Sequence, residues 1–131
     1  MDIQILIDKL KAATGPERAL DGQIAEVLGW QKRLEPVIDP KTGESKQRTL
    51  WIVPAGDDFG RIPLYTSSLD AAFELAHAVA PDNVGGCTWE KGKGSARIVG
   101  GPYCQAATPI LALCVAALTM KMLLSIQQQV N

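Results

Sequence analysis

Imidazoles and thiols are scarce in this sequence, and they are badly spaced for holding a metal. The single histidine, His77, and the three cysteines, Cys87, Cys104 and Cys114, form no CxxC pair and no Cys/His cluster. Zinc sites draw on several such ligands at close spacing, so none is expected. Hydrolysis and group transfer otherwise need a nucleophile beside a base, or paired carboxylates. His77 lies between Ala76 and Ala78 with no convergent partner, and it reads as a structural residue. Gly92-Lys93-Gly94 is not a P-loop, because Lys93 is followed by glycine rather than Ser or Thr. It reads as a flexible hairpin tip. Asp57-Asp58 and Asp82 lack calcium-loop spacing and read as surface turns. The expectation is a protein that is not an enzyme and takes no cofactor and no metal.

An excess of charge of one sign is also missing. Lysine and arginine total 13 against 14 aspartates and glutamates, a formal net charge of −1. Composition therefore supplies no pull towards a nucleic-acid polymer. No basic region leads into an apolar one at the start, where Met1-Asp2 precedes an amphipathic stretch. With an odd number of thiols, that pattern suits a reducing cytoplasm. The one long apolar segment is interrupted by Lys121, and its unbroken part before Thr119 falls short of the roughly 20 residues a bilayer core requires. No membrane span is expected. A chain of 131 residues suffices for one domain with a real core, and not for two.

What is present in strength is the segment from Thr108 to about Ile126. Thr108 is a good N-cap, and Pro109 suits a first turn that has no use for its missing N–H. Ile110, Leu113, Cys114, Ala117, Leu118 and Lys121 recur at helical spacing, while the opposite face carries Leu111, Val115, Thr119 and Met122. A helix apolar on most of its circumference must be covered on most of it. One sheet covers one side only, so Leu111, Val115, Thr119 and Met122 are expected to meet a second copy of the protein.

Upstream, Ile3, Leu6, Ile7 and Leu10 form a helical stripe closed by Gly15-Pro16. A second helix follows, with Thr14 and Glu17 at capping-box spacing and Gly29 as its stop. Residues 31–38 and 47–53 read as strands around the polar loop 39–44, with Pro36 marking an edge or a bulge. Ser67 and Asp70 announce a helix whose buried face is Leu69, Ala72, Phe73, Ala76 and Val79 or Ala80. A hairpin of residues 87–91 and 96–99 precedes the break at Gly100-Gly101-Pro102. The expected fold is α+β, a three-layer α-β-α sandwich around an antiparallel sheet in the order ααββαββα. It is one domain, 1–131, with a helical pair over 1–29 and strand–strand–helix units repeated over 30–126.

Several stretches then carry a family resemblance. They are Ile24-Ala25-Glu26-Val27-Leu28-Gly29-Trp30, the run from Pro63 to Ala72 (with Tyr65-Thr66-Ser67-Ser68-Leu69), a Trp-containing hairpin, and Ala107-Thr108-Pro109 followed by Leu113 to Leu118. Together they resemble the small phage and prophage proteins of the phage ABA sandwich domain family, over about Leu20 to Leu118. The resemblance implies the helix–sheet–helix sandwich and a phage origin, and it implies no reaction. Members of that group carry charge on the outer face of the last helix, where this chain has Leu111 and Val115. It also continues through Met120 to Asn131, and both departures favour self-association.

The remaining residue types suit binding. Trp30, Trp51, Tyr65, Trp89 and Tyr103 fall on or beside sheet elements, interleaved with Arg33, Arg48, Lys91, Lys93 and Arg97. An aromatic face beside a guanidinium stacks a base and holds a phosphate. The Thr66-Ser67-Ser68 helix start offers free N–H groups to an anion. The expected ligand-binding set is Trp30, Tyr65, Thr66, Ser67, Trp89, Lys91 and Arg97. Three of the residues considered have a structural alternative: Trp51 as core, Ser67 as a cap, Trp30 as a wedge between the first helices and the sheet; Tyr65, Trp89 and Arg97 are the foremost ligand candidates. The leading expectation is a homo-oligomeric phage protein of the infected host's cytoplasm that sequesters a small anionic, nucleotide-derived ligand as an anti-defence sponge. The alternative is a protein-binding accessory module that presses an apolar helix or sheet edge on a host or virion protein. An enzyme that degrades the signal is the third class, disfavoured by the missing site elements.

Overall fold

In a computed structural model that describes residues 2–130, the Thr108 hydroxyl accepts a hydrogen bond from Leu111 N–H at 3.1 Å and opens the helix Pro109–Val130. Met1 and Asn131, the ends of the expected domain, lie outside the described residues. The elements run α1 (Ile3–Ala12), α2 (Arg18–Val27), β1 (Gln31–Ile38), β2 (Ser45–Ile52), β3 (Phe59–Gly60), α3 (Leu69–Val79), β4 (Gly85–Glu90), β5 (Lys93–Ile98), β6 (Cys104–Ala106) and α4 (Pro109–Val130). The protein is α+β, with four helices among the described residues. Its strands pair antiparallel, but they form two three-stranded sheets, β1-β2-β3 and β4-β5-β6, where one sheet was expected. Strands as short as β3 and β6 give no alternation for a sequence reading to detect.

α4 occupies the middle of the fold. It packs on all three strands of the second sheet and also on α1 and α3. Gly94 of β5 makes this possible, since a side chain there would fall inside the Pro109 backbone. By length and composition alone α4 could cross a membrane. Here Leu111 to Leu118 are enclosed by the chain's own elements.

That enclosure corrects the expected interface. Leu111 and Val115 are both 0% exposed within a single chain, so they are core and not contact surface. The chain covers α4 with a sheet and two helices, where one sheet was expected. Thr119 and Met122 are only partly covered, and Met122 packs against the core cluster. Of the four expected contact residues, those two alone keep exposed surface.

The first sheet stands off this core. Trp51, half-buried, packs its ring where a Cβ on Gly22 of α2 would touch it at 3.2 Å, which anchors the β1–β2 arm at its base. Further out the arm is exposed on both faces. Pro36 sits on the open edge in unbroken register with Gln47, so there is no bulge. Asp39 N–H donates to the Glu44 carbonyl at 2.9 Å, which places the odd-numbered β1 residues in hydrogen-bonded pairs. Pro36 is even-numbered, so the N–H it lacks would have pointed to solvent.

Candidate binding cleft along the β4 edge

The expected ligand set separates into three places. Tyr65 and Thr66 are buried where α2 meets the approach to α3, with Thr66 only 1% exposed. The anion at this helix start is the chain's own Asp21. Its Oδ1 accepts from both the Thr66 N–H and the Thr66 hydroxyl at 2.8 Å. Glu17 N–H donates to Thr66 Oγ1 at 3.0 Å. Arg18 closes the knot, donating to Asp21 Oδ2 at 3.1 Å and to the carbonyls of Ile62 at 2.7 Å and Pro63 at 2.9 Å. Thr66 is therefore not a ligand residue, because its groups are already spent inside the fold. Ser67 is exposed but does not cap α3; Ser68 does, accepting from Ala71 N–H at 3.2 Å.

Tyr65 is likewise withdrawn from any outside ligand. Burial, with Glu74 adding, pushes its hydroxyl up to about 12. Beside it the Cys114 thiol donates to the Tyr65 carbonyl at 3.2 Å. Burial, with Asp21 adding, raises that thiol to about 12, so Cys114 stays protonated and unreactive. Trp30 is half-buried, its ring within 3.2 Å of where a Gly60 Cβ would stand, and acts as a wedge against β3.

Trp89 (80% exposed) and Lys91 lie at the far end of the second hairpin, whose two-residue turn places Gly92 at φ +80°. Arg97 is apart from both, on the outer face of β5. Its Nε donates to the Gly101 carbonyl at 3.0 Å and its guanidinium lies 5.0 Å from the centre of the Tyr103 ring. The carbonyl bond fixes the side chain, and the ring adds a cation–π contact.

The strongest site lies beside Arg97 and was not in the expected set. β4 is an edge strand, bonded to β5 alone. Val99 N–H donates to the Val84 carbonyl at 2.7 Å, which puts even-numbered β4 residues in hydrogen-bonded pairs. Gly85, Cys87 and Trp89 consequently turn their N–H and C=O groups away from the sheet. No hydrogen bond from another described residue reaches those groups. α3 and β4 each pack on α4 but scarcely on each other, and a cleft of about 320 Å³ opens between them. Its walls are Leu69, Phe73, Ala76, His77, Cys87 and Leu113 among others, with Phe73 stacked on His77 at 6.0 Å between ring centres. A second hollow of about 330 Å³ lies over the outer face, lined by Thr88, Ser95, Arg97 and Tyr103. Gly85, Gly86 and Cys87 border both.

A signal for the cleft existed in α3. Leu69 and Phe73 were expected on its buried face, but the structure leaves both exposed (Phe73 62%) while Ala71, Ala72 and Leu75 go inside, so the apolar arc is wider than the core needs. The Gly85-Gly86 pair, which opens a strand without side chains, was the other.

Among the described residues no cluster of three or more His, Cys, Asp or Glu is placed to hold a metal. Comparison with protein-family models, characterised proteins and solved structures gave no match, and none of them links the chain to phage ABA sandwich proteins.

Proposed function

We propose that this protein is a non-enzymatic docking module that accepts an extended segment of another protein alongside β4. The observation that carries this is the unpaired β4 edge lying between two hollows. In strand addition the main chain supplies affinity, and pockets on alternate sides supply specificity. The other long edge supports the reading by contrast. β1 carries Pro36 at an outward-facing position, a device that blunts an edge against pairing, whereas β4 carries no proline. The phage resemblance supplies the setting: an accessory protein acting on a host or virion protein in the cytoplasm of an infected bacterium.

The test is selection from a displayed library of random hexapeptides, followed by amide hydrogen exchange on the complex. Binders are expected to slow exchange at Gly85, Cys87 and Trp89. Binders that leave those amides unprotected would overturn the proposal.

A second reading has its own support. The anchored Arg97 over Tyr103 suits a small, planar, anionic ligand of nucleotide type, held within one chain rather than at a seam between copies. Calorimetric titration with a panel of nucleotides tests it. Micromolar binding that is lost in Arg97→Ala, with β4 amides still exchanging freely, would put sequestration ahead of docking.

A further inference from the structure

The stretch from Leu69 to Glu90 forms α3, the turn after it and β4, and it contains Asp70, Glu74, Asp82 and Glu90 but no lysine or arginine. All four carboxylates are exposed. Among the described residues, Glu90 alone of the four has a cation within ion-pair distance, Lys93 at 3.5 Å. The free edge of β4 therefore runs along an acidic margin of the molecule.

Asp70 brings that charge into the cleft itself. It lines the cleft with Leu69, Phe73 and Leu113, and no lysine or arginine does so. The other polar groups there leave it unpaired: Asn83 donates its side-chain amide to the Val99 carbonyl at 2.7 Å, and His77 stacks on Phe73. Arg97 stands on the opposite face of the sheet, held over Tyr103 by its bond to the Gly101 carbonyl.

Resting on the docking reading, we infer that the segment accepted beside β4 is basic. On the face it turns to α3 it carries apolar side chains with an arginine or lysine among them. Gly85 and Cys87 border the same cleft as Asp70, so a long side chain entering from a strand beside them comes up against the Asp70 carboxylate. Its stem then lies along Leu69 and Phe73 while its charged head meets Asp70. A carboxylate in that place would face like charge. Opposite charge on the segment also steers its approach, so association weakens as salt rises.

The probe is a labelled hexapeptide in which leucine, arginine and leucine alternate with serine, so that the three long side chains share one face. Binding is read by fluorescence anisotropy and by amide exchange. Replacing the arginine with citrulline keeps the shape and removes the charge. That change is expected to weaken binding about three- to fivefold at low salt, the range of a partly exposed ion pair. Asp70→Asn should bring the two peptides level, while Glu74→Gln, outside the cleft, should leave most of the difference. Equal binding of both peptides to the parent protein, with Gly85, Cys87 and Trp89 amides protected by both, would overturn the basic rule and leave docking standing. A difference that survives intact in Asp70→Asn would overturn the role of Asp70. Failure of every peptide to protect those amides would overturn docking itself.

Discussion

Gly86 and Arg97 are register partners across β4 and β5, and because the Arg97 guanidinium lies over Tyr103, the space beside Gly86 on the outer face is empty. Gly86→Val would place a branched side chain in that gap. Its Cβ has free space, and valine suits a strand better than glycine does. Thermal stability is expected to stay level or rise slightly, and hexapeptides selected on the parent should bind unchanged, because the new side chain stands on the outer face and leaves the edge groups of Gly85, Cys87 and Trp89 free. Anisotropy on a variant with an unchanged melting curve checks this.

Leu111 and Phe73 are both apolar helix residues, and they separate core from cleft. Leu111 is 0% exposed, so Leu111→Ala is expected to cost about 2–5 kcal/mol in urea unfolding. Phe73 is 62% exposed, and Phe73→Ala should stay within about 1 kcal/mol while weakening peptide binding. A tolerated Leu111→Ala would mean that α4 is not enclosed as described.

Asp21 ties α2 to the connection before α3 through Thr66, and Arg18 bonds the same connection at Ile62 and Pro63. Removing Asp21 leaves the buried Thr66 N–H unpaired, while the half-exposed Arg18 turns to solvent, so Asp21→Ala should destabilise by about 1–3 kcal/mol. The loss should exceed that of Thr66→Val, which leaves the Arg18 contact and the bond from the Thr66 N–H in place.

Alkali should unfold the protein through Tyr65 and Cys114. Their values rise from 10.0 and 9.0 in model compounds to about 12 in the fold, chiefly by burial. Between those limits the folded state holds protons that the unfolded chain has released, so stability falls as pH rises. Urea midpoints are expected to show little contribution from this pair below about pH 9 and to decline above it. Cys114→Ala should remove the lower part of the decline, and Tyr65→Phe the upper part.

Pro36 protects the longer edge. Pro36→Val restores an outward N–H on β1 without touching the β1–β2 ladder. The variant is expected to fold normally and to show concentration-dependent light scattering that the parent lacks.

Local chemistry was legible in the residues themselves. Thr108 caps α4, Gly29 follows α2 at φ +102°, and Pro36 lies on an edge, each as its side chain or backbone demands. The α3 cap was one residue off, because Ser67 and Ser68 both carry hydroxyls. The Leu64 carbonyl accepts from both of their N–H groups, and only Ser68 reaches Ala71. Of the expected ligand residues, Arg97 borders the outer hollow, while Thr66 is consumed by Asp21, whose approach from 45 residues away leaves no mark in local sequence.

The sequence by itself determined where the helices and the longer strands lie, because caps, turns and proline act over a few neighbouring residues, but not each boundary: α2 opens at Glu17 rather than Thr14, and β5 begins at Lys93 inside the expected hairpin tip. It also determined that α4 must be covered on nearly every side. Only the tertiary structure decided that the cover comes from the same chain, and that the strands divide into two sheets. It likewise decided that β4 keeps a free edge, since α3 and β4 meet through α4 rather than each other. Those outcomes depend on how distant segments share a surface, which periodicity along the chain does not record.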